Sequence, residues 1–85
     1  MSFSTVCLYL RCRIWGRVEH GGPKEFVAIA TAVPENGDPS EVRTLAQTLP
    51  SLQEAQQAAR HLVIRMSEIV AMNEGRVTDV ETDGI

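Results

Sequence analysis

Four side chains near the start of the sequence alternate between aromatic and basic: Tyr9, Arg11, Arg13 and Trp15. At a spacing of two residues they share one face of a β-strand. Aromatic rings and guanidinium groups in such a row can stack on bases and pair with phosphates, as in sheets that bind RNA or single-stranded DNA. They also suit a protein contact in which arginine packs over aromatic rings. We favour the protein contact, because one strand alone contributes and the signatures of nucleic-acid-binding sheets are missing.

A second candidate contact surface consists of Arg60, Ile64 and Ala71, which fall on the outer side of the helix predicted below. At about 100° per residue, Ile64 and Ala71 point away from the apolar stripe of that helix and cannot reach the core. The three residues can line a contact with a partner protein. An ordinary solvated helix face also explains them and is the more frequent situation, because single exposed isoleucines are common.

The other reactive side chains of the chain do not form a recognisable motif. Cys7, Cys12, His20 and His61 lack the spacing of a zinc site. No motif for nucleophilic catalysis and no phosphate-binding glycine loop occurs in the sequence. We therefore predict no catalytic residue, no metal and no cofactor, and we expect that the protein is not an enzyme.

Cys7 and Cys12 lie in one predicted strand at an odd separation, which places the two thiols on opposite faces of that strand. We expect no disulfide between them. Because the start of the chain also lacks a signal-peptide pattern, the reducing cytoplasm is the expected location. The apolar run of residues 6–10 ends at Arg11 and is far too short to span a membrane.

Three strands are predicted in the first half of the chain. Residues 5–15 alternate with a period of two, and one side of this strand carries Val6, Leu8, Leu10, Cys12 and Ile14. Residues 20–23, with two glycines and a proline, favour a reversal. Residues 25–33 are apolar at nearly every position, which predicts a central strand that is apolar on both faces. Residues 41–49 predict the third strand, with Val42, Leu45 and Leu49 as its apolar members.

One long helix follows, from Leu52 to Glu74. Ser51 and Glu54 form the sequence pattern of a capping box, and Gly75 is the predicted stop. Advancing by about 100° per residue gives a continuous apolar stripe centred on Ala55, Ala59, Leu62, Met66 and Ile69 and flanked by Leu52, Ala58, Val63 and Val70. This stripe predicts that the helix covers one face of the sheet.

The charges are divided between the two ends of the chain. Residues 1–24 are mostly basic and residues 74–85 mostly acidic, while the net charge of −3 is too small to imply a polyelectrolyte partner. Such ends attract each other within a fold or between subunits. Residues 76–85 form either a short fourth strand at a sheet edge or an acidic tail.

The order of three strands and a helix beginning Ser51-Leu52-Gln53-Glu54-Ala55 resembles the truncated RNase H-like domain of HicB-type antitoxins. It also resembles several small families with the same S-x-x-E-A helix start. The likeness covers about residues 42–75, and the glycine-rich segment that those antitoxins usually carry before the helix is absent. The resemblance implies a small, non-catalytic protein that binds another protein, and it assigns no functional residues.

We therefore predict a single α+β domain over residues 1–85, in which an antiparallel three-stranded meander packs on one long helix. A fourth strand at residues 76–85 is the open alternative to a tail. One helix leaves an apolar sheet face uncovered, so we expect a protein-interaction module: a homodimer, or an inhibitor or adaptor that docks on a larger protein. The expected contact residues are Tyr9, Arg11, Arg13, Trp15, Arg60, Ile64 and Ala71. The alternative is a regulator that binds RNA or single-stranded DNA through the Tyr9 to Trp15 row.

Overall fold

A computed structural model describes residues 11–35 and 42–82 of this protein. The elements are β1 (Arg11–Gly22), β2 (Glu25–Pro34), β3 (Arg43–Leu49), α1 (Leu52–Met72) and β4 (Arg76–Thr82). This order confirms the predicted α+β class and the three strands followed by one helix. The predictions for Tyr9, and for the first part of the strand begun at residue 5, lie outside the described residues.

The sheet has four strands in the order β3-β2-β1-β4. β1 and β2 pair antiparallel, as do β2 and β3, so the predicted meander and the central place of β2 are confirmed. β4 pairs with β1 in parallel, because α1 returns the chain across the sheet before β4 begins. Residues 76–82 thus form the fourth strand, and they extend the sheet at one edge.

The core lies between α1 and one face of the sheet. Its sheet side consists of small side chains and a few larger ones: Cys12, Ile14, Ala28, Ala30 and Ala32. Its helix side consists of Ala55, Ala59, Val63, Met66 and Val70. Alanines on both elements allow the helix axis to approach the sheet closely, and the buried methionine fills the space that they leave.

The buried stripe of α1 is rotated slightly from the predicted one. Val63 and Val70, predicted as flanking positions, are buried, whereas Leu62 and Ile69, predicted at the centre, are partly exposed. Leu52 is 48% exposed and contributes little to the core. The apolar residues on α1 span a wide arc, and contact with a twisted sheet selects one edge of that arc.

The helix begins as predicted at Ser51. The Glu54 backbone N–H donates to the Ser51 hydroxyl oxygen at 3.2 Å. The Glu54 carboxylate accepts from the same hydroxyl at 2.8 Å, instead of from the backbone N–H of Ser51 that a capping box uses. Ser51 and Glu54 thus hold each other at the first turn and leave one acidic group near the positive end of the helix dipole.

The helix ends at Met72, two residues before Glu74, the predicted last residue. Glu74, and not the glycine after it, closes the helix with a left-handed φ of 61°. The Gly75 N–H donates to the Val70 carbonyl at 2.9 Å and the Glu74 N–H to the Ala71 carbonyl at 3.0 Å, which is a Schellman motif. Gly75 therefore follows the left-handed residue, and a glutamate bears the backbone strain.

Replacement of Glu74 by glycine should stabilise the protein, because glycine adopts a positive φ without the steric cost of a Cβ atom. We expect Glu74→Gly to raise the free energy of unfolding by about 1 kcal/mol, measured by urea denaturation followed by circular dichroism. The control is Glu68→Gly on the exposed side of α1, which should lower it by about 1 kcal/mol. Equal destabilisation by both variants would contradict the assigned helix end.

Candidate functional site

The face of the sheet that points away from α1, called the open face below, is the candidate site. Side chains alternate along β1, so Cys12 and Ile14 face the helix while Arg11, Arg13 and Trp15 point the other way. The strand pairing extends this face across the sheet. Its other members are Arg17, Glu19, Val27, Ile29, Thr31, Val33, Thr44, Ala46, Thr48, Asp79 and Glu81.

The middle of the open face has an apolar floor beneath a basic and aromatic cover. Ile29 on the central strand β2 is only 6% exposed, although it points away from the helix. Its partners on the neighbouring strands are Arg17 and Ala46. The Arg17 guanidinium carbon lies 4.5 Å from the centre of the Trp15 ring, and Arg17 Nε lies 3.2 Å from a Glu19 carboxylate oxygen. The aliphatic stem of Arg17 and the indole ring thus shield the floor from water.

Each arginine of the predicted β1 row that the structure describes is paired with carboxylates. Arg11 Nε lies 3.8 Å from a Glu35 oxygen. One Arg13 Nη atom lies 3.8 Å from Asp79 and 3.9 Å from Glu81. These pairs are exposed and long, so each contributes no more than about 1 kcal/mol. Their effect on recognition is larger, because they remove the excess positive charge that the sequence suggested for this row.

The Glu35 carboxylate also ties β4 to the end of β2. It accepts a hydrogen bond from the Thr78 hydroxyl, which lies 3.2 Å from the Cys12 carbonyl oxygen as well. Thr78 is the extra residue of a β-bulge, since the register between β1 and β4 shifts between Cys12 and Arg13. The bulge sets the register that brings Asp79 and Glu81 level with Arg13 and Trp15.

A concavity of about 170 Å³ opens on this face where β1 meets β4. Its lining residues are Arg13, Ile14, Trp15, Val33, Asp79 and Glu81. Trp15 is 39% exposed and Val33 38% exposed, so the apolar part of the wall is accessible. A cavity of about 150 Å³ is large enough for a benzene-sized group. The concavity can therefore take one apolar side chain of a partner, with charged groups at its rim.

Arg60, Ile64 and Ala71, the predicted helix contacts, lie together on the exposed side of α1. Ile64 is 57% exposed. Arg60 and Ala71 are about 16 Å apart along the helix at 1.5 Å per residue, with polar Ser67 and Glu68 between them. The helix lies on the other side of the sheet from the open face, so the structure separates the two predicted contact surfaces.

Sequence reasoning missed several members of the open face. Ile29 and Val33 were visible only as part of an apolar run in β2, and Arg17 continues the alternation of β1 beyond Trp15. Asp79 and Glu81 had the right spacing for one strand face. Their place beside Arg13 follows from the parallel pairing of β1 and β4, which local sequence does not determine.

Cys12 is fully buried against the helix and is disulfide-bonded. This corrects the prediction of separate thiols. That prediction assumed a regular alternation from Cys7 to Cys12, and Cys7 lies outside the described residues. One of the two grounds for a cytoplasmic location is thereby removed.

Among the described residues, no group of three or more metal-binding side chains lies together. The His20 ring stacks on Phe26, with 4.5 Å between the ring centres. No helix in the described ranges is long and apolar enough to cross a membrane.

Comparison with protein-family models, with curated proteins and with solved structures found no match for this chain. The resemblance to HicB-type antitoxins stays an interpretation of the helix start and the strand order.

The contact between Arg17 and Trp15 should be measurable as a coupling energy. In a double-mutant cycle with Arg17→Met and Trp15→Leu, we expect about 0.5–1 kcal/mol of coupling in the free energy of unfolding. Methionine keeps most of the stem over Ile29 but removes the charge. A matched cycle of Trp15→Leu with Arg65→Met on the helix should be additive. Additivity in both cycles would show that the guanidinium does not stabilise the cover.

Proposed function

We propose that this chain is a non-catalytic protein-interaction module that docks through its open face, and that its first partner is a second copy of itself. The observation that supports this most directly is the exposed apolar wall of Trp15 and Val33, which no described residue covers. The last strand, β4, does not fold over this face. It lies at the edge of the sheet, beside β1.

The size of the open face suits a modest homodimer. Four strands about 4.8 Å apart and seven residues long give a face of roughly 400 Å², of which roughly half is apolar. Two copies would bury about 400 Å² of apolar area, worth about 10 kcal/mol at 25 cal/mol/Å². Association costs about 4–15 kcal/mol. At the low end of that cost about 6 kcal/mol is left, which corresponds to a dimer with a Kd of tens of micromolar.

The charges of β1 are arranged so that two copies can complement each other. A two-fold axis that crosses the strands at the level of Gly16 places Arg13 of one copy opposite Glu19 of the other. The same axis brings Trp15 opposite Arg17 of the second copy. Opposite charges and a second cation–π contact thus meet across the interface, as an isologous dimer requires.

Nucleic acid stays the runner-up partner. The paired carboxylates count against it, because Glu19, Glu35, Asp79 and Glu81 lie among the three described arginines of the face and repel phosphates. Retention of an oligonucleotide at about 50 mM salt, lost in Arg11→Ala/Arg13→Ala, would favour this alternative instead.

Sedimentation equilibrium tests the homodimer. We expect the wild-type protein to be mainly dimeric at about 100 μM, and Val33→Lys to weaken dimerisation at least about tenfold, because it buries a charge in the apolar part of the interface. Circular dichroism checks that the variant is folded. Ile64→Lys is the matched control on the helix and should leave dimerisation unchanged.

A wild-type monomer at this concentration, with the Trp15 indole fluorescing as in water, would rule out the open-face homodimer. Loss of the dimer in Ile64→Lys alone would assign the interface to the helix side, where Arg60 and Ala71 lie.

A cytoplasmic location stays part of the proposal, and the redox state of Cys12 tests it. Glutathione and thioredoxin keep cytosolic thiols reduced. A cytoplasmic location therefore requires that the disulfide of the structure be reduced in the cell: in native cells lysed directly into denaturant with an alkylating reagent, mass spectrometry should find Cys12 alkylated before any reductant is added. Alkylation only after reduction would show that the disulfide persists in the cell and that the proposed location is wrong.

A further inference from the structure

The outer edge of β4 is a second surface that the open-face contact does not use. β4 pairs with β1 on one side, and none of the described residues pairs with its other side. Five of its seven residues are exposed. Backbone donors and acceptors along such an edge are satisfied by water or by an added strand. The edge is therefore able to accept the extended backbone of another chain.

The two faces of β4 differ in chemistry. Asp79 and Glu81 point to the open face and share one guanidinium, that of Arg13, at 3.8 and 3.9 Å. Two carboxylates against one cation leave one negative charge in excess over residues 79–82, whereas Arg76, the cation of β4 itself, lies at the other end of the strand, before the bulge at Thr78. Val80 points to the helix side, where it pairs with Ile14, and it is 46% exposed. An incoming strand would thus find an acidic row on one side and an apolar neighbour on the other.

We propose that the outer edge of β4 binds an extended segment of a partner protein in which basic and apolar residues alternate. The segment adds a fifth strand to the sheet. Its basic side chains lie beside Asp79 and Glu81, and its apolar side chains lie beside Val80 on the helix side. This is peptide recognition by strand addition, in which main-chain hydrogen bonds give affinity and alternate side chains give specificity. It does not depend on the open-face dimer.

A second copy of β4 fits this edge poorly. Antiparallel pairing of the whole strand Arg76–Thr82 with its own copy is centred on Asp79, which would face the Asp79 of the second copy. Like charges directly opposite each other destabilise a strand pair. A basic segment meets the same position with the opposite charge, so the edge favours a different chain.

The length of the regular edge limits the affinity. The bulge at Thr78 interrupts the first part of β4, which leaves residues 79–82 to pair in a regular way. A few main-chain hydrogen bonds, each worth about 1 kcal/mol net, give a transient complex with a Kd of about 1 mM, or a few hundred micromolar where the side chains contribute.

A synthetic seven-residue peptide that alternates lysine and valine, with blocked ends, tests the proposal. We expect it to bind, and NMR spectra of the ¹⁵N-labelled protein to show shift changes concentrated in β4 and β1. A peptide with glutamate in place of lysine should bind at least about tenfold more weakly, because it faces the acidic row. N-methylation of the lysine peptide at alternate residues keeps its charge but removes backbone donors, and should also weaken binding at least about tenfold.

Variants locate the site. Asp79→Lys/Glu81→Lys should reverse the preference, so that the glutamate peptide binds better than the lysine peptide, while Glu68→Lys on the helix should leave it unchanged. Ala46→Lys, which lies on the open face but on β3 at the opposite side of the sheet from β4, should weaken the dimer and still bind the lysine peptide normally, which separates this proposal from the dimer. Equal binding of the N-methylated peptide, or shift changes centred on the open face, would overturn strand addition. Absence of binding would overturn it whatever the oligomeric state.

Discussion

A four-stranded sheet has two faces, and this chain has one helix with which to cover them. The helix packs on the side of Cys12 and Ile14, where alanines on both elements allow a close approach. The central strand β2 is apolar on both sides, so the other face needs cover as well. The Arg17 stem and the Trp15 ring supply part of it over Ile29. The rest of the open face, around Val33, is left to a partner or to water, and this imbalance underlies the proposed function.

The packing of Arg17 and Trp15 over Ile29 also explains why the sequence alone overestimates the positive charge that the open face offers to a ligand. Arginines on β1 suggest a phosphate-binding surface, but the Arg17 stem shields Ile29, and the three guanidinium groups lie beside carboxylates: Arg11 beside Glu35, Arg13 beside Asp79 and Glu81, and Arg17 beside Glu19. A guanidinium that is both stacked and paired has little excess charge to offer a polyanion. The row of Arg11, Arg13 and Trp15 was located correctly, and its chemistry depends on residues distant in sequence.

The parts of the fold that follow from local sequence were predictable. Alternation placed Cys12 and Ile14 inside and Arg13 and Trp15 outside, and the Ser51 cap fixed the helix start. The helix was predicted two residues too long, because Gly75 was taken as the stop whereas the left-handed residue that follows the helix is Glu74. The partner of β4 was not predictable, since parallel pairing across a helical crossover depends on tertiary packing. The concavity and the acidic row depend on that pairing.

Arg13 connects the two surfaces that these arguments identify. Its guanidinium lies on the open face and lines the concavity, and its charge is balanced by Asp79 and Glu81 on the edge strand. A basic segment added to β4 would compete for those carboxylates, because exposed pairs at 3.8–3.9 Å are weak and exchange readily. Arg13 would then present more positive charge to whatever occupies the open face. If the proposed segment binds the edge, it would therefore change the electrostatics of the open face, because one cation, Arg13, is shared by the two carboxylates.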